Sequence, residues 1–258
     1  MDEPLRLIQI SDTHLSADPR AVTWGLNNQA RLQRVLDDAL RRVPEPDALL
    51  LTGDLVHDES AAGYRRLARM LATLPAPVLC LPGNHDDPAV MRRFLSESPL
   101  RCGGSHRLGG WLVILLDSHV DGQDAGALSL AELAALERAL GEDPQRPTLV
   151  CLHHHPVPVG SAWLDDMGLS NAGDMFRILD RHTQVRGIVC GHVHQAFDRR
   201  RGRVRILATP ATTRQFRPGS ARFALGEQSP GYRWLHLYGE GRLETGVARL
   251  APGEGGAA

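Results

Sequence analysis

The chain contains no lysine: all 29 of its Lys and Arg positions are arginine. A lysine Schiff base is therefore excluded, and so is a P-loop, whose lysine must reach the phosphates. A Gly-x-Ser-x-Gly nucleophile elbow and a His-Glu-x-x-His zinc helix are also missing, which removes two common hydrolase designs. Cysteine is scarce, with only Cys80, Cys102, Cys151 and Cys190, and no two are spaced as Cys-x-x-Cys. Three of them sit in apolar, strand-like runs, so they read as buried reduced thiols rather than a zinc knuckle or a disulfide frame. No run approaches the ~18 apolar residues of a membrane span, and the acidic N-terminus does not read as a signal peptide. A cytoplasmic enzyme without membrane association is expected. The net charge of -1 argues against a surface built for nucleic acid, so no stable nucleic-acid complex is expected.

What is present is ordinary globular composition, 42% hydrophobic and 23% charged over 258 residues. Short apolar runs alternate with amphipathic stretches. Leu5 to Ile10, Ala48 to Leu51, Pro77 to Leu81, Trp111 to Leu116, Thr148 to Leu152, Gly187 to Cys190 and Val204 to Ala208 read as strands. Leu32, Val35, Leu36, Ala39, Leu40 and Val43 fall on one helical face, as do Tyr64, Leu67, Ala68 and Leu71. Ser129 and Glu132 have the spacing of a capping box before a third helix. Alternating segments at Arg233 to Leu237 and Leu243 to Val247 read as antiparallel strands. The expected fold class is α/β, a four-layer αββα sandwich of two mixed sheets face to face with helices outside. We expect one domain over 1–250 and a flexible Gly-rich tail over 251–258, with no internal repeat.

Five strands run into turns rich in metal-binding side chains. These turns are Ser11-Asp12-Thr13-His14, Thr52-Gly53-Asp54, Pro82-Gly83-Asn84-His85-Asp86, His153-His154-His155-Pro156 and Gly191-His192-Val193-His194. Functional groups in α/β sheets gather beyond the carboxyl ends of the strands, so the five turns are expected to meet. Asp12 and His14, like His192 and His194, are two apart, so an extended chain would point each pair one way. The glycines at 53, 83 and 191 are expected to permit unusual backbone angles or close approach.

In that order these motifs resemble the calcineurin-like metallophosphoesterases, over Ile10 to about Arg233. Within them the chain is similar to the bacterial class III cyclic-nucleotide phosphodiesterases, through Ser161-Ala162-Trp163-Leu164-Asp165, Asn171-Ala172-Gly173, Ala208-Thr209-Pro210 and Gln215-Phe216. The resemblance implies two divalent ions. Asp12, His14 and His194 would hold one, Asn84, His153 and His192 the other, and Asp54 would bridge them. His153, His154 and His155 are consecutive; His153 directly follows the strand and is preferred as ligand, leaving His154 or His155 to face the substrate or lie behind the ligands. Two ions, two carboxylates and a bridging hydroxide leave a net charge near +1 to meet a phosphodiester. Imidazole donors favour Fe, Mn, Zn or Co over Mg or Ca, and the resemblance implies Fe and Mn. The implied reaction is attack by the hydroxide on 3′,5′-cyclic AMP to give 5′-AMP. His85 is the expected general acid, with Asp86 orienting it. His14, Asp54, Asn84, His85, His155 and His194 are the expected substrate contacts.

Two other functions stand beside this one. A broader phosphodiesterase would act on glycerophosphodiesters, 2′,3′-cyclic nucleotides or nucleic-acid ends. A non-catalytic metal-binding scaffold would lack a ligand or the acid, and here neither is missing. The sequence is compatible with a monomer or a dimer. His57, His106, His119, His182 and His236 read as polar turn residues, and Asp198 to Arg203 as a solvated hairpin turn. Trp163 reads equally as a base-stacking residue and as a loop anchor, and Arg214 and Arg217 as exposed surface charges.

Overall fold

The computed structural model describes residues 3–23, 25–74, 76–97 and 99–251. Along the first half of the chain the elements are β1 (Leu5–Ile10), β2 (Val22–Thr23), β3 (Leu26–Asn27), α1 (Asn28–Arg42), β4 (Ala48–Thr52), α2 (Ala61–Leu71), β5 (Val78–Leu81), α3 (Pro88–Phe94), β6 (Leu100–Cys102) and β7 (Gly104–Leu108). Then follow β8 (Trp111–Leu115), α4 (Leu130–Glu142), β9 (Thr148–Cys151), α5 (Ala162–Asp165), α6 (Ala172–Leu179), β10 (Val185–Cys190), β11 (Phe197–Arg201), β12 (Val204–Ala208), β13 (Gly231–Leu237) and β14 (Leu243–Arg249).

Two six-stranded mixed sheets form, in the orders β14-β13-β1-β4-β5-β6 and β11-β12-β10-β9-β8-β7. In the first, β1, β4, β5 and β6 run parallel, and β13 and β14 close one side antiparallel. In the second, β8, β9, β10 and β12 run parallel between two antiparallel edge strands. The central strands are apolar on both faces, as parallel strands covered on both sides must be. In β4, Leu49 and Leu51 pack with Leu32, Val35 and Tyr64 from the helices, whereas Ala48 and Leu50 face Val113, Leu149 and Val189 of the other sheet. The layer between the sheets contains strand side chains only. A third apolar layer joins the second sheet to α4, α5 and α6 through Leu136, Leu140, Leu164 and Met175. The result is the αββα sandwich.

Several sequence expectations need adjustment. Ser129 caps α4 by accepting the Glu132 amide at 3.1 Å, but the Glu132 carboxylate accepts the Asp117 amide instead of returning to Ser129. Only half of the capping box forms, because Glu132 is drawn to the loop after β8. The Asp198 to Arg203 segment is mostly edge strand: β11 runs to Arg201, and the turn itself is Gly202-Arg203. The helices α3, α5 and α6 have only 7, 4 and 8 residues, too short for a repeat to stand out from sequence. Residues 252–258 of the expected tail lie outside the described residues.

Candidate dinuclear metal centre

The ends of β1, β4, β5, β9 and β10 converge, and their turns are laced together by backbone bonds. The Asp12 amide donates to the Gly53 carbonyl at 3.0 Å and the His14 amide to the Asp54 carbonyl at 2.9 Å. The His192 amide donates to Asp12 Oδ1 at 3.2 Å, and the Gly191 amide to the His153 carbonyl at 3.1 Å. The pairing of Asp12 with His14 does not arise from extended alternation. Both are left-handed, at φ 57° and 43°, as are Asp54 at 52°, His192 at 68° and His194 at 47°. Such angles cost non-glycine residues on the order of 1–3 kcal/mol each, and the lattice of bonds above is what holds them. Among the described residues, five of the six non-glycine residues with positive φ are candidate ligands, so the strain is concentrated at the cluster.

The glycines serve two different purposes. Gly53 has φ +90°, a conformation other residues rarely adopt. Gly83 is needed for space: a Cβ there would lie 2.8 Å from His153 Cε1 and collide with Asp54. Gly191 is likewise a close approach, with a Cβ position 2.5 Å from the Thr52 carbonyl oxygen.

The side chains form two adjoining groups. In the first, His194 Nε2 lies 3.3 Å from Asp12 Oδ1, and His14 joins them. In the second, Asn84 Oδ1 lies 3.1 Å from both His153 Nε2 and His192 Nδ1. Asp54 sits between the groups, with Oδ2 3.6 Å from His14 Nε2 and Oδ1 3.4 Å from His153 Nε2. Two imidazoles are aimed by carbonyls: His153 Nδ1 donates to Thr52 at 2.8 Å and His194 Nδ1 to Arg214 at 2.6 Å. That turns Nε2 of each ring toward the cluster, the usual arrangement of a metal-binding histidine. Asp12 Oδ2 and His14 Nε2 are buried with no hydrogen-bond partner. Buried polar atoms without partners are costly, and cations placed between the groups would satisfy them. The donors thus fit two metal ions.

Electrostatics agree. Burial opposes the Asp54 carboxylate, yet His153 and His14 hold it well below its usual range. Asp12 is lowered in the same way: burial opposes its carboxylate, and His194 and His153 together hold it below its usual range. Burial pushes His14 down to about 3, leaving it neutral. Burial also works against the His153 cation, but Asp54, Asp12 and the Thr52 carbonyl together raise it to about 9. The cluster attracts positive charge.

The three consecutive histidines separate by their partners. His153 faces Asp54 and Asn84. His154 uses both nitrogens elsewhere, with Nδ1 2.8 Å from Ser118 Oγ and Nε2 donating to the Asp124 carbonyl at 3.1 Å. His155 stacks on the His192 ring at 5.7 Å between centroids, with Asp165 3.8 Å from its Nε2.

A cavity of about 260 Å³ opens over the cluster, lined by His14, Asp54, Asn84, His85, His192 and His194 on one side. Trp163, Leu164, Met167 and Phe216 form its apolar side, with Asp124 also lining it. Five of the six expected substrate contacts are therefore at the cavity; His155 is not, because His192 covers it. The His85 amide donates to Asp54 Oδ1 at 2.9 Å, which sets its ring beside the cluster, 5.1 Å from His14. Asp86 points elsewhere. Its carboxylate accepts the Leu55, Val56 and Gly83 amides at 2.9–3.1 Å and the Tyr64 hydroxyl at 2.8 Å. It ties the Asp54 turn to the Asn84 turn rather than contacting the His85 ring. His57, expected as a plain turn residue, lies at the site's edge, its Nδ1 3.3 Å from His14 Nδ1 and its ring 4.9 Å from His85. Nothing in its Val56-His57-Asp58 context distinguishes it in sequence. Trp163 lines the cavity, and its ring packs edge-on against Phe216 and Phe223, as a loop anchor would.

A metal-binding cluster at the strand ends of an αββα sandwich defines a class, and the chain belongs to the calcineurin-like phosphoesterase family, whose profile matches residues 5–196. The family uses a dinuclear metal site. The chain is 42% identical to the 3′,5′-cyclic adenosine monophosphate phosphodiesterase CpdA of Pseudomonas aeruginosa, over 96% of this chain and 91% of that one. It is 40% identical to the CpdA of Escherichia coli K12, over 96% and 90%. Among solved structures it is similar in fold to a dimetal phosphatase from Danio rerio, with a TM-score of 0.66 at 15% identity, covering 96% of this chain and 99% of that one. Among the described residues no helix is long and apolar enough to cross a membrane.

Proposed function

We propose that the protein is a cyclic-nucleotide phosphodiesterase that opens 3′,5′-cyclic AMP to 5′-AMP with two transition-metal ions. One observation carries this reading: seven candidate donors and a neighbouring histidine gather at a cavity that Trp163, Leu164, Met167 and Phe216 also line. The similarity to relatives named as cyclic AMP phosphodiesterases supports the substrate.

Asp12, His14 and His194 would hold one ion and Asn84, His153 and His192 the other, with the Asp54 carboxylate available to both. Four imidazoles among these donors favour transition metals over Mg or Ca, and iron and manganese are our assignment. When bound, the ions supply Lewis acidity, lowering the pKa of water and neutralising phosphoryl oxygens. The chain's own residues do the rest. Asn84 contributes an oxygen without a charge, so the centre keeps net positive charge for the phosphodiester. His85, at the cavity wall and fixed through its amide to Asp54, holds the proton delivered to the leaving oxygen. Asp86 acts as a positioning residue that locks two ligand turns together. The apolar wall excludes water and takes the nucleoside. A cytoplasmic setting belongs to this reading, supported by four cysteines that are all free thiols.

The test is turnover by the metal-loaded protein on cyclic AMP, cyclic GMP, glycerophosphodiesters and oligonucleotides. Hydrolysis of cyclic AMP to 5′-AMP is expected. No hydrolysis of it, together with good turnover of another diester, would show the substrate assignment to be wrong.

A further inference from the structure

Among the described residues, Asp124 is the one Asp, Glu or Arg that lines the cavity outside the candidate metal cluster. It lies in the turn between β8 and α4 and is exposed. His154 Nε2 donates to its carbonyl at 3.1 Å, which gives the second of the three histidines a role apart from metal. The Gly126 amide donates to the Gly168 carbonyl at 3.2 Å, and the Ser170 amide returns a bond to the Gly126 carbonyl at 2.8 Å. Two further bonds, at 2.8 and 2.9 Å, join the Asn171 side chain to the Leu128 backbone. The loop bearing Asp124 is thus clipped to the segment that follows Met167, so the acceptor and the apolar wall are presented together. The wall is itself fixed: Phe216 stacks on His194 at 4.1 Å, and Trp163 packs edge-on against Phe216 at 5.0 Å.

We infer that this arrangement is a base-reading subsite, in which Asp124 accepts the ring amino group of adenine while Trp163, Met167 and Phe216 cover the base. The inference rests on the cyclic-nucleotide reading above. With the phosphodiester at the cluster, the rest of the nucleotide must lie along the remaining wall. That wall offers an apolar surface suited to a flat heterocycle. A carboxylate only accepts hydrogen bonds, so it rewards an amino group and opposes a carbonyl at the same ring position. Because the loop is already ordered, little entropy is lost in forming the contact.

The experiment compares kcat/KM for cyclic AMP, for purine riboside 3′,5′-cyclic phosphate, which lacks the amino group, and for inosine 3′,5′-cyclic phosphate, which carries a carbonyl there. Turnover of bis(4-nitrophenyl) phosphate, which has no base, reports the metal centre in each protein. The wild type should prefer cyclic AMP over the purine riboside analogue by about five- to twentyfold, the scale of one hydrogen bond to a charged acceptor at a partly solvated site. Asp124→Ala should bring that ratio close to one. Asp124→Asn, whose amide also donates, should raise the relative turnover of the inosine compound. A wild-type ratio near one, or an unchanged ratio in Asp124→Ala, would overturn the inference while leaving cyclic AMP hydrolysis standing. If the wild type turns over the base-free diester but none of the cyclic nucleotides, the functional reading falls first and this subsite with it.

Discussion

In the metal-free protein, stability should fall as the pH rises from neutral, and His153 sets the size of the fall. Its folded pKa is about 9 against 6.5 for the free side chain. A raised folded value means the contribution is complete below the unfolded value and is lost as pH rises through the folded one. The total is about 3 kcal/mol at 1.36 kcal/mol per unit, of which roughly 2 kcal/mol disappears between pH 7 and 8.5. The other groups of the cluster change less in that window. Burial lowers His14 to about 3 and His155 to about 4, and lowers His154 and His192 as well, so all four are neutral when folded. An unfolded imidazole is about a quarter protonated at pH 7, so each opposes the His153 fall by only ~0.2 kcal/mol. Asp12 and Asp54, both lowered, are ionised in both. Burial raises the Cys151 and Cys190 thiols, which adds a loss of the same sign only nearer the ordinary thiol pKa. For a chain of this size the His153 loss corresponds to a decrease in Tm of roughly 4–8 °C. Thermal unfolding of chelator-treated protein, followed by circular dichroism at constant ionic strength, reads it directly. His153→Gln should remove most of the slope. A wild-type Tm that is flat over the window, or an equal slope in the variant, would refute the charge picture of the site. Metal coordination through Nε2 replaces the same proton, so titrating ions into the metal-free protein near pH 7.5 should release about one proton per chain from this residue.

Two substitutions probe the parts separately. His85→Ala should retain wild-type metal content by elemental analysis while kcat falls by about 10²–10⁴, the usual contribution of a general acid, and full retained activity would remove it from the mechanism. Gly83→Ala touches no donor, but its Cβ would enter the space of His153 and Asp54. It should lose at least half of the bound metal, and unchanged stoichiometry would show that the turn tolerates a side chain.

The sandwich was legible because its central strands are short, apolar and spaced by helical repeats. Ala48 to Leu51 and Thr148 to Cys151 are buried on both faces, and this is why they appear as unbroken apolar runs. The meeting of the candidate ligands was legible because each follows such a strand. Their backbone was not. Nothing in Asp-x-His announces left-handed angles at Asp12 and His14, which depend on bonds to Gly53 and Asp54 forty residues away in sequence, to the nearest ten. Asp86 misled for a related reason: adjacency to His85 suggested a partner, but the amides of Leu55, Val56 and Gly83 claim its carboxylate. His57 and Asp124 sit in loops with no periodicity, and only the meeting of separate turns brings them to the site.

The central claim is that seven side chains from five strand ends hold two ions with Asp54 between them. Anomalous diffraction from crystals of the metal-loaded protein, recorded at the absorption edges of iron and manganese, tests it most directly. The account predicts two peaks per chain, one bounded by Asp12, His14 and His194 and the other by Asn84, His153 and His192, each in contact with an Asp54 oxygen. A single peak, or a peak coordinated by His154 or His155 in place of His153, would contradict it.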